Sequence, residues 1–244
     1  MISRAAIIIA CLTTMGSVVA TERSPDVTKP PSADQFVIIP LRVHVLTGNA
    51  PEVDCKLSES DVERIVGKVN RVWGVAGVYF GLESIVREPA ARVGEFGQER
   101  DRIGSAPLSL YRILRPADGA AFEGLHVYYV HQMPVNGVWM GEDFAFVQET
   151  AKLREVKGGI DEPVPRVTSH ELGHALGLPH RQDRTNPMAS GTTGTLLNED
   201  EVKTARETAR KVKGAVAYDE AVKRAESDSR VKRWVETIRS SGTQ

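Results

Sequence analysis

The first regular pattern in the chain is an alternation of apolar and polar residues. Within FVIIPLRVHVLTG (residues 36–48), Leu41, Val43 and Val45 alternate with polar neighbours. A two-residue period is typical of a strand that buries one of its faces. We therefore predict a strand over this segment.

The pattern changes to helical spacing in residues 58–77. Apolar residues recur every three or four positions, at Val62, Ile65, Val66, Val69, Val72 and Trp73. Ser60, three residues before Glu63, predicts a capping box at the start of this helix, and Gly77 predicts its end. Because strand-like residues resume at 78–88, the opening of the chain predicts a βαβ-like unit.

Further elements follow along the chain. Strand-like runs occupy residues 125–133 and 144–149, and Pro165 suits the first turn of a helix. A charged helix is predicted to begin at a capping box of Asn198 and Glu201. A last helix has its apolar stripe at Val231, Trp234, Val235 and Ile238. The mixed charges of these two helices are typical of solvated faces.

The first twenty residues differ from the rest. Arg4 is their only charge, and the apolar run that follows ends with the small residues Val18 and Ala20. These features predict a secretory signal peptide over residues 1–20, and hence a secreted or periplasmic protein with no stable membrane span after cleavage. The alternatives are lipoprotein cleavage before Cys11 and an uncleaved anchor.

The mature chain is predicted to have two parts. Residues 21–34 are polar and Pro-rich, so they predict a flexible leader, and residues 35–244 are predicted to form one domain that includes the C-terminal helices. Cys55 would be the one cysteine left, which excludes an internal disulfide. With 31 basic and 32 acidic residues, the chain lacks the basic excess of nucleic-acid-binding proteins.

Candidate chemistry is concentrated in HELGHALGLPH, residues 170–180. On a helix, His170 and His174 project from the same face, where two imidazoles can bind one zinc ion. Glu171 is rotated off the ligand row and could serve as a general base without being a ligand. A surface pair is the alternative for a lone His-x-x-x-His.

A third zinc ligand requires the chain to turn. Farther along a straight helix, His180 would face away from His174 and lie about 9 Å up the axis. Gly177 is placed where a helix can end in a left-handed conformation, which glycine adopts at little cost. His180 can then reach the metal. A chance match to all five positions in this chain is on the order of 10⁻⁴, so we predict a three-histidine zinc site.

This stretch resembles the HExxHxxGxxH zinc signature of the metzincin metallopeptidases. NPMASG (186–191) looks like their Met-turn, with Met188 beneath the metal, and LNEDEV (197–202) resembles the start of the last catalytic-domain helix in matrixins. The resemblance covers roughly residues 36–215. Arg181 and Ser190 depart from the best-known families, so the chain is most similar to matrixin-like or pappalysin-like forms.

The resemblance implies an α+β fold with a twisted mixed sheet, an active-site helix and a smaller C-terminal helical subdomain. It implies a zinc endopeptidase with Glu171 as its base, protein or peptide substrates, and pairing of an extended substrate with the strand at 144–149. Two alternatives stay open: a catalytically silent zinc-containing binding or adhesion domain, and a purely structural secreted domain. Retention of Glu171 argues against the first, because zinc binding alone does not need this acid.

Other polar residues have simpler interpretations. Cys55 could ligate the zinc of a latent enzyme, but an ordinary free thiol is the interpretation we adopt. His126 and His131 are five residues apart and point to opposite faces of a strand, so a shared second metal is not predicted. The loop acids Asp143, Asp161, Glu162 and Asp183 lack EF-hand spacing and are predicted to be solvated.

Overall fold

The computed structural model describes residues 25–117 and 122–241, and the predicted signal peptide lies outside them. The strands are β1 (Asp26–Val27), β2 (Val37–Thr47), β3 (Val78–Pro89), β4 (Leu125–Val130), β5 (Gly137–Trp139), β6 (Phe144–Gln148), β7 (Leu197–Asn198) and β8 (Val216–Ala217). The α-helices are α1 (Glu59–Gly74), α2 (Val93–Ile103), α3 (Pro163–Ala175), α4 (Glu199–Ala209), α5 (Tyr218–Arg224) and α6 (Ser229–Ser241). Short 3₁₀ helices span Ala33–Gln35 and Leu108–Leu114. None of the helices in these described ranges is long and apolar enough to cross a membrane.

The strands form a mixed sheet, so the α+β prediction is confirmed. Its order is β3-β2-β4-β6-β5, with β8 paired to the start of β2. Strands β2, β3, β4 and β6 run parallel, whereas β5 is antiparallel to β6. The parallel pair β2–β3, joined by α1, confirms the predicted βαβ opening.

One predicted role of a strand is wrong. The strand at 144–149 was expected to pair with substrate, but β6 already pairs with β4 on one side and β5 on the other. A strand with both neighbours in place has no unpaired backbone edge to offer. Among the described strands, β5 is the one at this edge of the sheet.

The sheet buries its two faces under different helices. Helices α1, α3 and α4 share one core with alternate residues of β2, such as Ile39 and Leu41. The Trp73 indole of α1 donates a hydrogen bond to the Ser169 carbonyl of α3 at 3.3 Å. The chain segment with the His–Glu motif is therefore fixed between α1 and the sheet.

Helices α5 and α6 cover part of the opposite face, and α2 with the 3₁₀ helix Leu108–Leu114 packs against β4 and β6 on the same face. Ile38 of β2 packs with Val235 and Trp234 of α6, and a Cβ on Gly81 would lie 2.6 Å from the Trp234 ring. The prediction of one C-terminal helical subdomain is therefore wrong for α5 and α6. Helical periodicity identified their apolar stripes but could not say which face of the sheet they cover.

The capping boxes were predicted with mixed success. At α4, Glu201 N–H donates to Asn198 Oδ1 at 2.9 Å and Asn198 N–H donates to Glu201 Oε2 at 2.9 Å, as expected. At α1 the box is formed by Ser58 and Asp61, so the predicted pair of Ser60 and Glu63 is wrong. Both serines have an acid three residues on, and the entry path of the chain selects between them.

The described part of the predicted leader is paired with the domain. Asp26 and Val27 lie opposite Asn198 and Leu197 in an antiparallel pair, and Glu199 N–H donates to the Pro25 carbonyl at 3.2 Å. Flexibility was inferred from polar and proline-rich composition. That composition does not exclude pairing with an exposed backbone elsewhere in the chain.

Two buried histidines lie on the face of the sheet away from α3. His44 Nε2 is 2.9 Å from His126 Nδ1, and His44 Nδ1 is 2.5 Å from Glu88 Oε1. The second ring nitrogen of His126, Nε2, has no hydrogen-bond partner in the part of the chain that the structure describes. Burial lowers the pKa of His126 to about 4, so its imidazole is neutral at pH 7.

We expect the free energy of unfolding to fall as the pH drops from about 6.5 to about 4. In the unfolded chain, His126 takes up a proton near the ordinary histidine pKa of 6.5, whereas in the folded protein it does so only near 4. The contribution of His126 is therefore absent above pH 6.5 and complete below pH 4, with a slope of up to about 1.4 kcal/mol per pH unit. Burial also lowers the pKa of the neighbouring His44 to about 3, so His44 adds a loss of the same sign that extends to lower pH. Urea unfolding at several pH values gives the slope of the unfolding free energy against pH. In His126→Gln this slope should be smaller than in the wild type, by the equivalent of about one proton. Equal slopes would contradict this assignment.

Candidate functional site

The end of helix α3 turns the chain sharply. Gly177 has a left-handed φ of 81°, its N–H donates to the His174 carbonyl at 3.0 Å, and Leu178 N–H donates to the Gly173 carbonyl at 3.0 Å. These two bonds form a Schellman motif, the helix ending that favours glycine at this position. The turn brings His180 back beside the helix, as the sequence predicted.

The three histidines of the motif converge. His180 Nε2 lies 3.1 Å from His170 Nε2 and 3.2 Å from His174 Nε2. The opposite nitrogens are engaged elsewhere: His170 Nδ1 is 2.9 Å from the Pro187 carbonyl, and His174 Nδ1 is 2.8 Å from the Leu178 carbonyl. Because a carbonyl only accepts, these two Nδ1 atoms carry the protons and their Nε2 lone pairs face one another.

This arrangement fits a zinc ion. With Zn–N bonds of about 2.0–2.1 Å and tetrahedral angles, ligand nitrogens lie about 3.3 Å apart, close to the separations in the structure. Burial lowers the pKa of His170 to about 4 and also lowers the pKa of His174. Both imidazoles are therefore neutral, the form that ligates metals. Within the described ranges, these three side chains are the one group of three or more possible ligands.

Glu171 lies beside the three histidines and is almost completely buried, with 5% of its surface exposed. Burial raises the pKa of its carboxyl group to about 7, although the Trp139 backbone N–H, which donates to it, and the positive charge of Arg166 act in the opposite direction. Strand β5 fixes its position: a Cβ on Gly137 would lie 2.8 Å from Glu171 Oε1. A carboxyl group with a pKa near 7 can both accept and donate a proton at neutral pH.

Met188 lies under helix α3 and is fully buried. Its N–H donates to Asn186 Oδ1 at 2.7 Å, and Ala189 N–H donates to the Asn186 carbonyl at 3.1 Å, which closes a tight turn. A Cβ on Gly173 would overlap with Met188 Sδ, so the glycine before His174 allows this close packing.

Arg181, noted as a departure from the best-known metzincins, has a structural partner. Its Nη1 lies 2.9 Å from Glu201 Oε1, and Glu201 Oε2 accepts from Asn186 Nδ2 at 2.8 Å. Arg181 N–H also donates to the Met188 carbonyl at 3.0 Å. The residue after the third histidine is thereby tied to the capping box of α4 and to the methionine turn.

The sequence analysis missed Arg166, which is 1% exposed. Its Nε donates to the Gly194 carbonyl at 2.7 Å, and its Nη2 donates to the carbonyls of Ala189 at 2.5 Å and Asn186 at 3.3 Å. The position of Arg166 in the sequence could have indicated its place beside the site. A charged residue four positions before His170 must lie on the same helix face as the metal ligands.

A cleft of about 900 Å³ opens in front of the histidines. It is lined by β5 with Asn136, by α3 and by residues 189–191. Trp139 lines this cleft, whereas its neighbour Met140 is buried. The cleft therefore places an edge strand alongside Glu171 and the histidines.

The remaining polar residues of interest lie away from this cleft. Cys55 is buried with its Sγ 3.3 Å from Glu149 Oε2, and burial raises its pKa to about 12, as expected for an unreactive thiol. His131 contacts the same Glu149, at 2.6 Å. Of the loop acids, Asp143 pairs with Arg115 and the others with cations or hydroxyl groups nearby.

Comparison with known proteins gives little beyond this geometry. No family model matches the chain, and no curated protein matches it. Among solved structures, the chain is similar to metalloproteinase-II from Bacteroides fragilis, with a TM-score of 0.34 and 9% identity. The alignment covers 76% of this chain and 57% of that one.

We expect Gly137→Ala to reduce the activity of this site. The added Cβ would lie 2.6 Å from Val167 Cγ1 and 2.8 Å from Glu171 Oε1, so Glu171 or β5 must shift. Displacements of about 1 Å at a reacting group can lower rates by about 10²-fold. Gly97→Ala in α2, where a Cβ meets nothing within 4 Å, is the matched control. Unchanged kcat in Gly137→Ala would contradict the positioning of Glu171 by β5.

Proposed function

We propose that the protein is a zinc-dependent endopeptidase of metzincin type. One observation carries the proposal: His180 Nε2 lies within 3.2 Å of both His170 Nε2 and His174 Nε2, beside the buried carboxyl group of Glu171 and in an open cleft. Metal binding alone explains the histidines. It does not explain why Glu171 is buried beside the histidines, since this acid makes no contact that they need to stay in place.

His170, His174 and His180 would hold the ion. When bound there, zinc supplies Lewis acidity, which acidifies water and polarises a carbonyl group. Glu171 accepts the proton of the water that attacks the peptide carbonyl carbon, then donates it to the leaving amine as the C–N bond breaks. Met188, packed against Gly173, and Arg181, paired with Glu201, are proposed to position the segments that carry the histidines.

Strand β5 is proposed to bind the substrate backbone. An extended peptide can add to an exposed sheet edge through main-chain hydrogen bonds. The Trp139 N–H, which holds Glu171, belongs to this same edge, so a peptide lying along β5 passes the proposed base.

Peptidase activity is the test that decides. Zinc-loaded protein is incubated with a mixed peptide library, and cleavage products are identified by mass spectrometry, with and without a chelator. Chelator-sensitive cleavage supports the proposal. If the zinc-loaded protein cleaves no peptide, the catalytically silent zinc-containing binding domain replaces it.

We also propose that the protein is exported. The support is the apolar, charge-poor segment of residues 1–20 with small residues at its end. N-terminal sequencing of the exported protein should begin at or near Thr21. A secreted product that begins at Met1 would contradict the proposed cleavage.

A further inference from the structure

We infer that Arg166 makes this cleft selective for an acidic side chain next to the bond that is cleaved. The inference rests on the proposed peptidase function and adds a substrate class to it: peptides with glutamate or aspartate at that position. Three observations support it: Arg166 has no anionic partner, one of its nitrogens makes no hydrogen bond, and apolar residues line the cleft beside it.

Arg166 is a buried cation without an anionic partner. No carboxylate forms an ion pair with it among residues 25–117 and 122–241; its guanidinium contacts are backbone carbonyls. A buried charge is stabilised far better by an opposite charge than by neutral dipoles. Glu171 is the one acid whose charge acts on it appreciably, and that acid has another task in the proposed reaction.

The guanidinium group also retains a donor. Nε and Nη2 hold the carbonyls of Gly194, Ala189 and Asn186, while Nη1 makes no hydrogen bond to any residue that the structure describes. Arg166 lines the same cleft as His170 and Glu171. Nη1 is therefore the nitrogen left for a ligand that enters the cleft.

Much of this lining is apolar, although Asn136 and Ser190 also belong to it. Val138, Leu153, Val167 and Ala189 line the cleft together with Arg166. A carboxylate on a short methylene stem matches these surroundings, because the stem contacts the apolar side chains and the charge reaches the guanidinium. Glutamine has nearly the same size as glutamate but lacks the charge. A comparison of peptides with Gln and Glu at this position therefore measures the effect of the negative charge alone.

Holding the loop of residues 186–194 is the competing role for Arg166. That role occupies Nε and Nη2, and it predicts no preference between glutamate and glutamine in a substrate. The charge would also be a costly choice for a purely structural residue, since a buried cation loses several kcal/mol of hydration. The selectivity between glutamate and glutamine therefore distinguishes the two roles of Arg166.

The first experiment uses the wild-type protein. Peptides found in the library are resynthesised with glutamate or glutamine, and aspartate or asparagine, at each position flanking the cleaved bond. We expect kcat/KM to be about 10-fold or more higher for the acid at one of these positions, the usual scale of a charge-assisted contact. Equal rates for acid and amide at every flanking position would overturn the inference.

Variants assign the preference to Arg166. In Arg166→Met the ratio of acid to amide is expected to fall to about one, whereas Arg166→Lys should retain part of it. Arg154→Met is the matched control, because Arg154 is an exposed cation whose backbone pairs with the same loop. A preference that survives in a folded, zinc-containing Arg166→Met protein would show that it does not originate in Arg166 and would overturn the inference. If that variant does not fold, the wild-type ratios decide.

Binding separates this inference from the peptidase proposal. The same peptide pairs are titrated into zinc-loaded Glu171→Gln protein and followed by fluorescence anisotropy. Tighter binding of the acid without cleavage by the wild type would support Arg166 and contradict the peptidase. Cleavage by the wild type without discrimination in rate or binding would contradict the role of Arg166 alone.

Discussion

Glu171→Gln is expected to lower peptidase turnover by a factor of about 10² or more, while zinc stays near one ion per chain. The amide is nearly the same size as the carboxyl group, so the Trp139 N–H and Gly137 still have a neighbour of similar shape. It cannot accept a proton from water. Turnover is measured on the best library peptide, and zinc by elemental analysis of the same preparation.

The control for this change is Glu155→Gln, at an exposed acid outside the cleft lining. It should retain wild-type turnover, which excludes a general effect of removing negative charge. Wild-type activity in Glu171→Gln would refute the proposed mechanism. Loss of zinc together with activity would assign Glu171 to the metal site and not to proton transfer.

His174→Ala is expected to lose both zinc and activity and to unfold at a lower temperature. The three histidines join the end of α3 to the segment after Gly177, so a bound ion stabilises the folded state relative to the unfolded one. At a free zinc concentration about 1,000 times the Kd, the gain is about 4 kcal/mol. For a domain of this size, it corresponds to a shift in Tm on the order of 10 °C.

The same shift should be seen when a chelator is added to the wild type, and zinc should reverse it. His131→Ala is the matched control, because His131 lies outside the three-histidine group; it should retain one zinc per chain. A chelator that leaves the wild-type melting curve unchanged, in a protein without zinc, would remove the basis for the metal centre.

Most of the strands and helices could be predicted from the sequence. Residues 36–48, 78–88, 125–133 and 144–149 contain strands, because alternation and β-branched composition report burial on a pleated surface. Predictions were wrong where two residues were equally suitable for the same local role. Ser58 and Ser60 both offer an N-cap, and only the entry path of the chain distinguishes them.

Errors about position in the fold have a different cause. Periodicity shows which face of an element is buried but not what buries it. Helices α5 and α6 have clear apolar stripes, yet their place behind the sheet follows from contacts such as Trp234 against Gly81. Strand β6 was identified correctly, but its interior place follows from pairing with β4 and β5.

The sequence by itself determined the convergence of His170, His174 and His180. All three lie within eleven residues, so helix periodicity and the left-handed turn at Gly177 are sufficient to bring them together. Only the tertiary structure decided that β5 borders the cleft, that Gly137 fixes Glu171 and that Arg166 is a buried cation facing the cleft. These features depend on contacts between segments far apart in the chain, which local backbone rules do not specify.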